Sequence, residues 1–192
     1  AKEQAKAEID RLCSDSLIAE NYEPDDGKTV TAYRDDAIAV IDAAKEISVV
    51  NAALKALKAN IAAVPTASDR LADYKKTAAA AVEKAYFYQD VGPYSTRDFG
   101  YKADLAKIIV SAGRLGLRHD LADELLRQLG AELVLLGEQK DAGIEAVNAA
   151  SDKSEVDTAK DNACAAMEQT VKTAGQRTAD SGVADKWDGE SE

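Results

Sequence analysis

A helical hairpin is written twice in this chain, and the duplication constrains the fold more than any other feature. Residues 34–64 read RDDAIAVIDAAKEISVVNAALKALKANIAAV, and residues 140–171 read KDAGIEAVNAASDKSEVDTAKDNACAAMEQTV. Superposed, Ile38 meets Ile144, Ile41 meets Val147, and Ala43-Ala44 meets Ala149-Ala150. The register continues with Ser48 on Ser154, Val50 on Val156 and Ala53 on Ala159. Apolar positions that recur at helical spacing in two places mean a helical module used more than once.

Composition points the same way. Only three prolines and eleven glycines interrupt 192 residues, which favours long helices over sheets. With two Phe, one Trp and one Met, the Ala-rich core must form by close helix–helix approach. A formal net charge of −11 makes the phosphate contribution repulsive, which argues against nucleic acid as a partner and disfavours anionic membrane surfaces. No apolar run is read as long enough to cross a bilayer, and no signal peptide is visible, so membrane insertion is not expected. The chain opens inside a helical pattern, AKEQAKAEIDRL, and is expected to be a mature or excised fragment of something longer. Cys13 and Cys164 are too few for a disulfide scaffold and lack metal-site spacing. They read as two small buried residues, with a single bridge as the alternative in an oxidising compartment.

Periodicity predicts a first helix from the start to about Ile18 and a loop over residues 20–31, ENYEPDDGKTVT. A second helix carries Tyr33 to about Ile47, where Ser48 is placed to cap a third that Pro65 ends. Ser68 is the expected cap of a fourth helix, Asp69 to Asp90, followed by a looser stretch over 91–100. A fifth helix spans Tyr101 to about Ala112. A sixth helix, or two nearly collinear ones, spans His119 to Ala150 despite glycines at 130, 137 and 143, each costing about 1 kcal/mol relative to Ala. Ser154 with Asp157 reads as the capping box of a seventh helix that ends near Gly175. The expected fold is all-α, an elongated helical bundle built from three-helix-type modules. Residues 1–66 form the first module, 67–176 a second, divergent bundle, and 177–192 a polar, disordered tail.

The stretch YRDDAIAVIDAAKEISVVNAALKALKANIAAV resembles the FIVAR-type helical repeats of multidomain surface and secreted proteins of Gram-positive bacteria. A Tyr opens the helix, Ile38 and Ile41 follow, and a hairpin at Glu46–Ser48 leads into V-N-x-A-L-x-x-L-x-x-x-I, here Val50-Asn51, Ala53-Leu54, Leu57 and Ile61. The resemblance covers residues 1–66 and, more weakly, 139–174. It implies three-helix bundles that act as cell-surface spacers or adhesion modules, extracellular or cell-wall associated.

Candidate chemistry is sparse. Gly27-Lys28-Thr29 lacks the glycine a phosphate loop needs five residues earlier, since Tyr22 stands there. Asp25-Asp26-Gly27 does not continue the ligand spacing of a calcium loop. His119 is the only histidine and has no ligand cluster or nucleophile beside it, so it reads as a surface or capping residue. No metal, cofactor or catalytic constellation is expected, and the chain is not read as an enzyme. Six aromatic residues do cluster, at Tyr86, Phe87, Tyr88, Tyr94, Phe99 and Tyr101, with Arg97 and Asp98 among them. Consecutive rings cannot all face one core, because neighbours on a helix point about 100° apart. The cluster is either a platform for a glycan or a host or cell-wall protein, with Tyr88, Tyr94, Arg97 and Tyr101 as contacts, or an anchor that clamps a long connection. The expected function is a structural spacer or adhesion module, monomeric or weakly oligomeric. The alternative is an intracellular or virion scaffold that self-associates through the leucine-rich face of residues 125–136.

Overall fold

The computed structural model describes residues 1–89, 98–116 and 122–181. The fold is an all-α helical bundle. The described helices are α1 (Lys2–Cys13), α2 (Asp15–Asn21), α3 (Pro24–Ala43), α4 (Ile47–Ala62), α5 (Ala67–Tyr86), α6 (Tyr101–Gly116), α7 (Ala122–Ala149) and α8 (Lys153–Asp180). Between α5 and α6, β1 (Tyr88–Gln89) and β2 (Asp98–Phe99) pair antiparallel, with Tyr88 opposite Phe99. The chain divides into two compact units, Ala1–Asp73 and Tyr74–Glu192, a boundary that falls within α5.

Several helix ends differ from the sequence reading, each for a local reason. The expected first helix breaks at Ser14, whose extended backbone (φ −61°, ψ 158°) makes it the cap of α2, its hydroxyl accepting from the Leu17 amide. Residues 24–31, expected as loop, are the start of α3. Pro24 sits in the first turn, where its missing N–H is harmless, and Asp25 and Asp26 complement the helix dipole. Gly27 belongs to that helix because a Cβ there would stand 3.1 Å from Ile18 Cγ2, so α2 approaches closely. Ser48 does not cap α4. Glu46 is the N-cap residue, and the Ser48 hydroxyl donates to the Glu46 carboxylate at 3.1 Å. Thr66, not Ser68, caps α5: its hydroxyl accepts from the Asp69 amide at 3.1 Å while Asp69 accepts from the Thr66 amide at 2.9 Å. In α8 the capping box is likewise shifted, to Asp152 and Glu155. Asp152 accepts from the Glu155 amide at 2.8 Å and Glu155 from the Ser151 amide at 2.6 Å. The helix runs past Gly175 to Asp180, where Arg177 pairs with Glu132 of α7. Cys13 and Cys164 are free thiols.

The first unit closes around Ile9, Val30, Ile41, Val50 and Leu57 from α1, α3 and α4. Contrary to the sequence reading, the stretch Ile47–Tyr86 is long and apolar enough, by length and composition, to cross a membrane. In the structure α4 is a bundle helix that turns Val50 and Leu57 into this core and sends Lys58 to Glu8 at 2.9 Å. The second unit buries Val82, Leu105, Leu129, Leu136 and Met167 from α5, α6, α7 and α8.

The two hairpins share one register. Ala43 and Ala149 end their first helices and Ile47 and Lys153 open their second, each pair 106 positions apart. Burial follows the same register: Val30 and Leu136, Ile41 and Val147, Ala44 and Ala150, Val50 and Val156, Leu57 and Ala163 are all buried. The duplication also reaches further than the hairpin. At an offset of 73, Ala5 and Ile9 of α1 match the buried Ala78 and Val82 of α5. Lys2 donates to the Asp42 carbonyl at 2.8 Å, and Lys75 to the Asn148 carbonyl at 2.9 Å, so both offsets are satisfied by one bond in each unit. The hairpin and the helix bound to it through this lysine therefore recur in each unit. The offsets, 73 and 106, differ by 33 residues, which in the second copy supply the strand pair and a full helix, α6.

Candidate functional site

The insertion builds a cleft in the second unit. Gly100 precedes α6 with φ +106°, a backbone state that favours glycine, and a Cβ there would lie 2.8 Å from the Ala85 carbonyl oxygen and 2.9 Å from that of Tyr86. Only a glycine lets the start of α6 sit this close to the end of α5. That approach places Lys102, in the first turn of α6, with its ammonium 5.6 Å from the Tyr86 ring centre and 5.5 Å from that of Phe87. Lys140 of α7 lies 5.3 Å from the Tyr86 ring. The Tyr86 hydroxyl reaches α7 beside Gly137, where a Cβ would stand at an ordinary contact distance of 3.8 Å. The result is an open cleft of roughly 510 Å³ lined by Ala80, Glu83, Lys84, Tyr86, Phe87, Lys102 and Lys140.

Its electrostatics run against those of the whole chain. Three lysines face one glutamate in a protein of net charge −11. Lys140 is bound by Asp141 at 2.7 Å, which holds its pKa above the usual lysine value. Lys102 meets the two rings, and among the described residues no carboxylate pairs with it. In the first unit the equivalent node is closed. Arg34, the counterpart of Lys140, pairs with Asp35 at 3.0 Å and with Asp15, and donates to the Cys13 carbonyl at 3.4 Å. Cys13 stands where the second copy has Tyr86. The same cation position thus caps a helix in one module and borders a cleft in the other.

Of the four residues singled out from sequence, Tyr101 alone has a described side chain. It packs half-buried against the second core, and burial pushes its phenol pKa up. Tyr88 pairs through its backbone with Phe99, and Tyr94 and Arg97 lie outside the described residues, as does His119. Lys102 and Lys140 were missed. The repeat held a signal for Lys140, since it aligns with Arg34, but nothing in the sequence placed either lysine over a ring.

A second, apolar concavity of roughly 350 Å³ lies between α3 and α4, with Val40 and Val49 among its walls. Val40, Val49 and the nearby Ile47 are 46 %, 41 % and 65 % exposed. The second copy carries Glu155 and Lys153 where the first has Val49 and Ile47, so the shared backbone does not require apolar side chains at those two positions, while Val40 is matched by the smaller Ala146. Among the described residues no group of three or more His, Cys, Asp or Glu side chains is placed to hold a metal ion. No family model, curated protein or solved structure matches the chain.

Proposed function

We propose that this chain is a non-catalytic spacer and binding module of a bacterial cell-surface or secreted protein, in which a FIVAR-like three-helix unit is used twice. The observation that carries the reading is the register-matched duplication, with burial and the lysine-to-carbonyl bonds repeating at offsets of 73 and 106. Duplicated bundles whose copies differ by an inserted helix, here α6 with Leu105 and Ala112 in the core, extend a chain and vary its contacts without demanding an active site. The apolar concavity of the first copy and the lysine–aromatic cleft of the second are the surfaces on which the copies diverge. Self-association through the leucine-rich face of residues 125–136 is less well supported, because Leu125, Leu129 and Leu136 are buried inside their own unit and, of the large apolar residues in that stretch, only Val134 and Leu135 are exposed. Antibody labelling of intact and permeabilised cells of the encoding bacterium tests the proposal. Signal on intact cells is expected; labelling only after permeabilisation sinks the surface assignment.

A further inference from the structure

We infer that the cleft between Tyr86, Phe87, Lys102 and Lys140 binds a carboxylate-bearing saccharide, a uronic or sialic acid residue. The inference rests on the binding-module reading for where such a ligand is met, but its chemistry comes from the cleft. Phe87 is 43 % exposed and offers an apolar ring to the C–H face of a sugar. Lys102 is held over two rings and has no carboxylate partner among the described residues, so an ammonium already ordered by its neighbours is available to a ligand anion. At roughly 510 Å³ the cleft lies within the range of about 300–1,000 Å³ usual for small-ligand sites. An acidic peptide fits less well. The lining residues lie on helices or at the α5 terminus, and helical walls offer an extended chain few free backbone partners for its amides. A long polyanion would be repelled by the net charge of −11, whereas a single carboxylate feels mainly the local lysines. The first copy lacks this arrangement: its cation at the Lys140 position, Arg34, is taken up by Asp15, Asp35 and a carbonyl, and it has no counterpart of Lys102, which lies in the insertion.

The test is a titration of the full chain, by calorimetry or NMR, with sialyllactose, a glucuronic-acid disaccharide, neutral lactose and an acidic hexapeptide. Lys102→Gln, Lys140→Gln and Phe87→Ala are measured alongside, with circular dichroism to verify folding. At least one acidic sugar should bind and lactose should not. Lys102→Gln should weaken binding by about fivefold or more, and raised salt should weaken it further. Equal affinity for lactose, tighter binding of the peptide, no effect of Lys102→Gln, or no acidic-sugar binding at millimolar concentration would each overturn the inference. The surface assignment would stand or fall separately, on the intact-cell labelling.

Discussion

Two glycines of the same helix should respond to alanine with opposite signs. Gly130 is exposed on α7, and a Cβ there would find nothing within 4 Å. Gly130→Ala should therefore show the helix-propensity gain alone, about 1 kcal/mol of added stability. Gly143 is buried thirteen positions on, where a Cβ would stand 2.3 Å from Ala163 Cβ and 3.5 Å from Val82 Cγ1. Real Cβ contacts essentially never fall below 3.0 Å, and Ala163 has no flexible end to swing aside. Relief needs α7 and α8 to separate, and overpacking of that kind costs about 1–3 kcal/mol, the upper end applying when the obstacle is so close to the backbone. Offset by the same propensity gain, Gly143→Ala should lose about 2 kcal/mol, so the two variants differ by about 3 kcal/mol. In a protein of this size that separates their midpoints by roughly 6–12 °C. Thermal and urea unfolding of each variant, and of Gly143→Ala combined with Ala163→Gly, make the measurement. The combined variant should recover part of the loss, because the obstructing methyl is gone. If Gly143→Ala proves as stable as Gly130→Ala, the close approach of α7 and α8 is not real and the argument fails.

Three further outcomes are expected. Asp152→Ala should destabilise α8 by about 1 kcal/mol through the lost cap, whereas Ser154→Ala should change the urea midpoint little. Hydrogen bonds from Arg127 and then Gln128 hold the Glu124 carboxyl at about 2, so its favourable interaction is present above the ordinary glutamate range and is lost as pH falls towards 2. Carbon-detected NMR should find that titration and should see it move up in Arg127→Ala; an unmoved Glu124 would contradict the pairing. Cys13 is buried and its thiol pKa is raised by that burial, so in the native protein it should resist a disulfide reagent and become reactive in urea. Rapid native labelling of Cys13 would mean that α1 is not docked as described.

Much of the architecture was legible in the chain because helical periodicity is a local property. The hairpin repeat predicted two structures with one register, and their helix ends do fall 106 residues apart. The long α7 was also legible, since its leucines outweigh three glycines. Caps were read two residues out, at Ser48, Ser68 and Ser154. Choosing among neighbouring Ser, Thr, Asp and Glu depends on which backbone turns extended, and that is set by how the helices meet. Pro24, Asp25, Asp26 and Gly27 looked like a turn for the same reason: those residue types serve both turns and first helical turns.

The candidate cleft was half legible. Tyr86 and Phe87 stood out as neighbours in the chain, but Lys140 reaches them from a distant helix and Lys102 reaches them only because Gly100 permits the approach. The match of α1 with α5 was not legible at all, because it rests on a few buried alanines and aliphatics and on a lysine-to-carbonyl bond that no residue pattern displays. Helices, their pairing into like hairpins and the acidity of the surface follow from local spacing and from counting charges, so the chain already displays them. Which helix joins each hairpin, how closely α7 and α8 approach, and where lysines gather over aromatic rings became visible in the fold. Those are meetings of residues far apart in the chain, fixed by packing and not by spacing.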